Sequence, residues 1–148
     1  MALTNYRFWL KTSGIFQFIT AGMHSLSLFA KPQPTNDTEK QLLDLMTTYH
    51  LDFGMGFTPT MADVMNSFSI SFLMLLLFGG AINWVLVLKH ADIGIIKAIT
   101  TLSVITFGVC AIAMFFLTFI FPVVCTAVIF IALLVTWFTI PKTDSVQG

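Results

Sequence analysis

The sequence predicts an all-α membrane protein: a bundle of four transmembrane helices with a short amphipathic helix in its first extracytoplasmic loop. Apolar residues make up 57% of the 148 residues and charged residues only 9%, about a third of the charged share of a soluble domain. Residues 68–88 carry no charge, and about 20 such residues can cross a bilayer core. We expect one membrane domain over residues 1–148. The balanced net charge and the lack of a basic patch argue against nucleic acid binding.

The first span is predicted over residues 11–30. Polar residues recur along it in steps of four and three, which places them on one face of a helix: Ser13, Gln17, Thr20, His24 and Ser27. Lipid cannot satisfy such groups, so this face must contact protein or water. A cleaved signal peptide is disfavoured because the run is interrupted by polar residues and has no convincing small-x-small cleavage site.

A polar loop follows this span, after Pro32 and Pro34. Asn36 and Glu39 have the spacing of a capping box and predict the start of the short helix. Its apolar residues share a face, namely Leu42, Leu45, Met46 and Tyr49. We expect this helix to lie along the membrane surface or to cap the bundle. Gly54 and Gly56 then predict an irregular turn that leads back toward the bundle.

The second span is predicted over residues 62–88. Thr60 and Asp63 have the spacing of an N-cap hydroxyl and a carboxylate at the third helical position, which favours a helix start here. One face of this span carries Ser, Gly and Asn among leucines: Ser69, Leu73, Leu76, Gly80 and Asn83. Small side chains allow close approach of two helices in lipid, and an amide bonds across the interface. Asn83 is therefore predicted to make a helix–helix contact.

The third and fourth spans are predicted over residues 93–116 and 122–140. Asp92 is the expected N-cap of the third. Each span has one face of small or weakly polar residues suited to packing, formed by Ile99, Ser103, Thr106, Cys110 and Ala113 in the third and by Cys125, Ile129, Ala132 and Thr136 in the fourth. The two cysteines fall at different depths, so free thiols are expected.

The charges predict the orientation in the membrane. One side carries Arg7, Lys11, Lys89, Lys97 and Lys142. The other carries Lys31 and Lys40 together with Asp37, Glu39, Asp44, Asp52 and Asp63. The positive-inside rule then places both termini in the cytoplasm and residues 31–59 outside.

The extracytoplasmic end collects most residues capable of binding or chemistry. The candidate ligand-binding residues there are His24, His50, Asp52, Asp63 and Asn66, with Gln17 and Thr20 on the same helix face as His24. An ionisable side chain within a span is a functional hypothesis by default. Structural explanations compete with it: Asp63 as a helix cap, and His24 as a neutral imidazole bonded to a neighbouring helix.

Three kinds of ligand fit this end of the bundle to different degrees. Histidines with nearby methionines suit a soft metal such as copper, but their spacing matches no metal motif. Haem could be ligated by His24 and His50, but His50 lies outside the spans and no second histidine within a span faces His24. An apolar ligand such as a lipid, a quinone or a sterol-like molecule, with His24 as its polar anchor, is favoured because such pockets are mostly apolar with few placed polar groups. No metal site is predicted, and no cofactor is assigned.

Several functions fit these features. The first is a non-enzymatic membrane protein that binds an apolar ligand or a partner, either another membrane protein or a second copy of the chain. The alternative is a membrane oxidoreductase subunit or isomerase-like enzyme, with His24 as acid or base and His50 or Asp63 within hydrogen-bond reach. A third possible function is that of a structural subunit in a larger complex. Transport is disfavoured because repeats, broken helices and several intramembrane charges are not evident.

The chain resembles small bacterial membrane proteins of the DoxX-like four-helix group. The similar features span Gly22 to Leu88: Gly22-Met23-His24, a proline-bearing loop, Met46 to Tyr49, Gly56, and Asp63 to Ser69. The resemblance implies a four-helix bundle in a bacterial inner membrane and brings no established activity. The emopamil-binding-protein-like sterol isomerases share the four-span architecture. They typically use acidic groups within their spans, and this chain has none in its central apolar runs.

Overall fold

The computed structural model of the protein describes residues 5–30 and 32–141. These residues form five α-helices and no strand, which confirms the all-helical prediction. The helices are α1 (Tyr6–Phe29), α2 (Asp37–Thr48), α3 (Met61–Leu88), α4 (Ile93–Leu117) and α5 (Ile120–Thr139). Lys31 and Lys142, two of the charges used to predict the orientation, lie outside the described residues.

Three of these helices, α3, α4 and α5, are long and apolar enough to cross a membrane. This supports a membrane protein. Helix α1 is long enough at 24 residues but is not among the three, because Gln17 and His24 interrupt its apolar run. It also begins at Tyr6 rather than at residue 11. The fourth span therefore remains a prediction.

The chain divides into two compact units, described separately. The core unit consists of Met1–Thr20 and Leu76–Gly148, and the loop unit of Ala21–Leu75. At one end of the core unit, buried residues of three helices and of the segment after α5 form an apolar cluster: Leu10, Leu86, Val87, Ile96 and Ile140. This cluster joins the start of α1 and α4 to the end of α3.

Helices α1 and α3 approach each other closely within the core unit. A Cβ atom on Gly14 would lie 2.7 Å from Cδ1 of Trp84 and 3.3 Å from the carbonyl oxygen of Gly80. A Cβ atom on Gly80 would lie 3.0 Å from Cε1 of Phe18 and 3.3 Å from the carbonyl oxygen of Gly14. The helices therefore meet backbone to backbone at these two glycines, which is the contact that small residues favour in lipid.

Helices α4 and α5 pack along each other. The indole Nε1 of Trp137 donates a hydrogen bond of 3.0 Å to the hydroxyl of Thr101. The face predicted for α5 is largely buried. The face predicted for α4 is wrong in register: Ile96, Thr100 and Phe107 are the buried residues, whereas Thr106 is exposed. Cys110 and Cys125 are both free, as expected.

Helix α2 of the loop unit has the predicted N-cap at Asn36, but the Glu39 carboxylate bonds to Thr35 and not to the Asn36 amide of a full capping box. Oδ1 of Asn36 accepts from the amide of Glu39 at 2.8 Å, and the Glu39 carboxylate accepts from the amide and the hydroxyl of Thr35, both at 2.6 Å. No residue of α2 is buried. Its apolar side chains, including Leu42 and Leu45, are exposed.

We predict that the start of α2 loosens in acid. The two hydrogen bonds from Thr35 hold the pKa of Glu39 below its ordinary value. A lowered folded-state pKa means that the carboxylate stabilises the cap at neutral pH, and that this contribution is lost as pH falls through the folded-state pKa. The amide resonance of Thr35, followed by NMR during an acid titration, should move with that transition. A Glu39→Gln variant should show no such transition, and a Thr35 resonance that titrates equally in both forms would contradict the prediction.

Candidate functional site

The imidazole of His24 is bonded to helix α3 within the loop unit. Its Nε2 lies 3.1 Å from the backbone carbonyl oxygen of Ser69, and the ring meets Phe72 edge to face, with centroids 5.4 Å apart. A carbonyl only accepts hydrogen bonds, so Nε2 carries the proton. In the neutral ring, Nδ1 is then a hydrogen-bond acceptor. The structural explanation for His24, a bond to a neighbouring helix, is observed, and it leaves one ring nitrogen for another partner.

His50 and Asp52 stabilise a hairpin-like loop that follows α2. Nδ1 of His50 lies 2.6 Å from the carbonyl oxygen of Thr58, and His50 pairs with Thr60 in an isolated antiparallel bridge. Oδ1 of Asp52 accepts from the amide of Gly54 at 2.8 Å. Both candidate residues therefore have identifiable roles in the loop.

The tip of this loop exposes apolar side chains. Gly54, Met55 and Gly56 all have positive φ angles, of 78°, 55° and 80°. Glycine adopts this conformation readily, whereas a side chain such as that of Met55 rarely does. Met55 is fully exposed, and Phe53 and Phe57 are exposed beside it. The predicted irregular turn is thus a tight hairpin whose exposed surface is apolar.

Asp63 caps helix α3, which is the structural role predicted for it. Its Oδ2 accepts from the amide of Thr60 at 2.9 Å and from the Thr60 hydroxyl at 2.7 Å. The Thr60 hydroxyl in turn accepts from the amide of Asp63 at 3.2 Å. His50 is linked to this cap through its bridge with Thr60. Asn66 lies on the exposed surface of α3.

The loop unit thus brings the candidates together in pairs rather than in one cluster. His24 contacts α3 at Ser69 and Phe72, and His50 pairs with Thr60, whose hydroxyl is bonded to Asp63. Among residues 5–30 and 32–141, no three His, Cys, Asp or Glu side chains converge as a metal-ligand set.

Gln17 belongs to a buried polar network of the core unit. Nδ2 of Asn83 donates to the hydroxyl of Ser13 at 3.1 Å and to Oε1 of Gln17 at 3.0 Å. All three side chains are almost fully buried. Nε2 of Gln17 has no partner among the described residues, and a Cβ atom on Gly79 would lie 2.8 Å from it. Asn83 therefore makes the predicted helix–helix contact.

Thr20 is also buried, at 8% exposure. It lies on the same helix face as Gln17, one turn further along α1. The polar face of α1 is thus buried through Ser13, Gln17 and Thr20 in the core unit, as a lipid environment requires.

One group of residues was not recognised as a site from sequence. Arg7, Lys11 and His90 line a cavity of about 410 Å³ in the core unit. From sequence, Arg7 and Lys11 indicate only the orientation in the membrane. One feature of the sequence could have indicated this site: Arg7 and Lys11 are four residues apart in α1 and therefore lie on one helix face. Their proximity to the turn after α3 was not evident from sequence.

Comparison with protein-family models, with curated proteins and with solved structures gives no match for this chain. The resemblance to the DoxX-like group therefore rests on the sequence features alone.

Proposed function

We propose that the chain is a four-span protein of a bacterial inner membrane that binds an apolar ligand at His24, near its extracytoplasmic end. Helix α1 is the fourth span in this proposal. Its 24 residues are long enough to cross a bilayer, and the polar face that lowers its hydropathy is buried in the core unit. The charge distribution supports cytoplasmic termini. A DoxX-like relationship is consistent with this architecture.

The observation that carries the ligand proposal is the state of the His24 ring. The hydrogen bond to the Ser69 carbonyl fixes the proton on Nε2 and makes Nδ1 an acceptor. A lipid-soluble molecule with a hydroxyl group, such as a quinol, a sterol-like alcohol or a lipid with a free hydroxyl, supplies the matching donor. Exposed apolar side chains of the same unit, Met23, Leu26, Met65 and Phe68, suit the rest of such a molecule.

Binding is better supported than catalysis. The enzyme alternative needs His50 or Asp63 as a partner of His24, within hydrogen-bond reach or through one water. Nδ1 of His50 is bonded to Thr58, and the Asp63 carboxylate is bonded to Thr60. Both groups thus serve the loop and the cap of α3, and a proton-transfer role would require these bonds to break.

Native mass spectrometry of the gently purified protein tests this proposal. We expect a bound apolar molecule in the wild type and about tenfold weaker retention in His24→Ala, the effect of losing one hydrogen bond of about 1.4 kcal/mol. Ser25→Ala is the matched control, because the Ser25 hydroxyl is bonded, within residues 5–30 and 32–141, only to the Gly22 carbonyl of its own helix. It should retain the ligand as the wild type does.

Two results would overturn the proposal. One is equal retention of ordinary bilayer lipids by all three forms. The other is a protein partner, rather than a small molecule, that is retained by the wild type and lost by His24→Ala.

A further inference from the structure

The polar cavity of the core unit lies at the start of α1 and the end of α3. Its volume is about 410 Å³, and it is lined by Asn5, Arg7, Phe8, Lys11, Val87, Leu88 and His90. Two of these side chains are cationic and a third can become so, and no carboxylate is among them. The remaining lining is largely apolar. Such a cavity suits an anion that is attached to an apolar molecule.

The guanidinium of Arg7 is held in place. Its Nη1 lies 3.0 Å from Nδ1 of His90, and its Nε donates to the hydroxyl of Tyr6 at 3.1 Å. Arginine only donates hydrogen bonds, so Nδ1 of His90 is the acceptor and the proton of the neutral ring is on Nε2. Arg7 makes no ion pair with a carboxylate among the described residues. Its other N–H groups are available to an anion, and a fixed guanidinium matches phosphate oxygens in pairs.

His90 is positioned by the backbone that ends α3. The amide of Ala91 donates to the carbonyl of Leu86 at 3.0 Å, and the amide of His90 donates to that of Val87 at 3.3 Å. These two bonds form a Schellman motif, in which the residue at the position of His90 is usually glycine. His90 occupies it with a φ angle of 50°. A side chain kept in this unfavourable conformation is a reason to look for a function, and here the side chain orients Arg7.

We propose that this cavity binds the phosphate of an anionic phospholipid. It lies where α3, one of the three helices able to span a membrane, ends, and therefore near a bilayer surface. Phosphate and glycerol would meet Arg7, Lys11 and the Nε2–H of His90, and the first methylenes would meet Phe8, Val87 and Leu88. In the orientation proposed above this is the cytoplasmic face, where anionic lipids attract basic side chains.

The wild-type protein allows a direct test, because Arg7 is the sole arginine of the chain. Phenylglyoxal modifies arginine, so the mass shift of the intact protein reports on Arg7 alone. We expect several-fold slower modification in nanodiscs of phosphatidylglycerol than in nanodiscs of phosphatidylcholine. Inorganic phosphate added to the phosphatidylcholine nanodiscs should give little protection.

The outcomes separate the two sources of phosphate. Equal protection by inorganic phosphate would overturn the lipid as occupant and point to a soluble phosphate compound. Equal rates under all three conditions would overturn the site. His24→Ala should retain the full protection, so failure of the ligand proposal at His24 leaves this result unchanged.

Two variants distinguish specific binding of phosphate in the cavity from non-specific attraction of anionic lipid by positive charge. Arg7→Lys keeps the charge but loses the paired donors, and we expect about tenfold weaker retention of phosphatidylglycerol in native mass spectrometry, equivalent to about 1.4 kcal/mol. Lys97→Gln removes one positive charge on α4 from a residue that does not line the cavity. It should bind as the wild type does. Weakening of both variants to the same degree would overturn the proposal.

Discussion

Replacing Gly14 by valine should lower the free energy of unfolding by about 2–3 kcal/mol, the upper part of the range for overpacking. The first added carbon would already lie 2.7 Å from Cδ1 of Trp84 and 3.3 Å from the backbone oxygen of Gly80. The indole can rotate away, but the backbone oxygen can move only if α1 and α3 separate. Unfolding in detergent, followed by circular dichroism during denaturant titration, measures the loss.

Gly22→Val is the matched control for this change. Gly22 lies on the same helix, and nothing is found within 4 Å of a Cβ atom placed on it. We expect a change within about 0.5 kcal/mol, as for surface substitutions away from packed contacts. Equal losses in the two variants would show that the effect comes from helix propensity and not from the close contact at Gly14.

Replacing Asn83 by alanine should destabilise the protein by about 2 kcal/mol, as expected when a buried polar group is lost and its partners are left unpaired. The change removes the donor to both Ser13 and Gln17. Gln17 is the more affected partner, because its Nε2 already has no partner among the described residues and its Oε1 would lose one as well. The same detergent unfolding measurement applies.

A double-mutant cycle with Gln17→Ala isolates the Asn83–Gln17 bond. Hydrogen bonds between membrane helices average about 0.6 kcal/mol in such cycles, with a maximum of about 1.7 kcal/mol, and the coupling should fall within that range. Asn66→Ala, on the exposed surface of the same helix, should change stability little. A coupling near zero, or an Asn66→Ala loss equal to that of Asn83→Ala, would contradict a specific role of the network.

The features predicted best from sequence are local or are imposed by lipid. Both helix caps, at Asn36 and Thr60, depend on groups three residues apart, so their geometry follows from the chain itself. Asn83 had to find a partner because lipid offers none, and the partner is the polar face of α1. The structure adds which residues of that face, Ser13 and Gln17, receive the bonds.

The features missed depend on tertiary packing. In α4 both the packed and the lipid-facing sides are apolar, so periodicity does not distinguish Thr106 from the buried Thr100. Two glycines predicted a turn after α2, but the pairing of His50 with Thr60 across it depends on how the two arms of the loop meet. The proximity of Arg7 to His90 spans 83 residues, and no local pattern encodes it.

In the proposed four-span topology, the network between α1 and α3 also constrains the order of membrane insertion. Ser13 and Gln17 are bonded to a residue that is synthesised 70 and 66 residues later, respectively. If α1 entered lipid alone, the side-chain amide of Gln17 would have no partner there. An unsatisfied group in lipid costs several kcal/mol. We therefore expect α1 to wait beside the translocon or at the interface until α3 emerges, and the two helices to enter the bilayer as a pair.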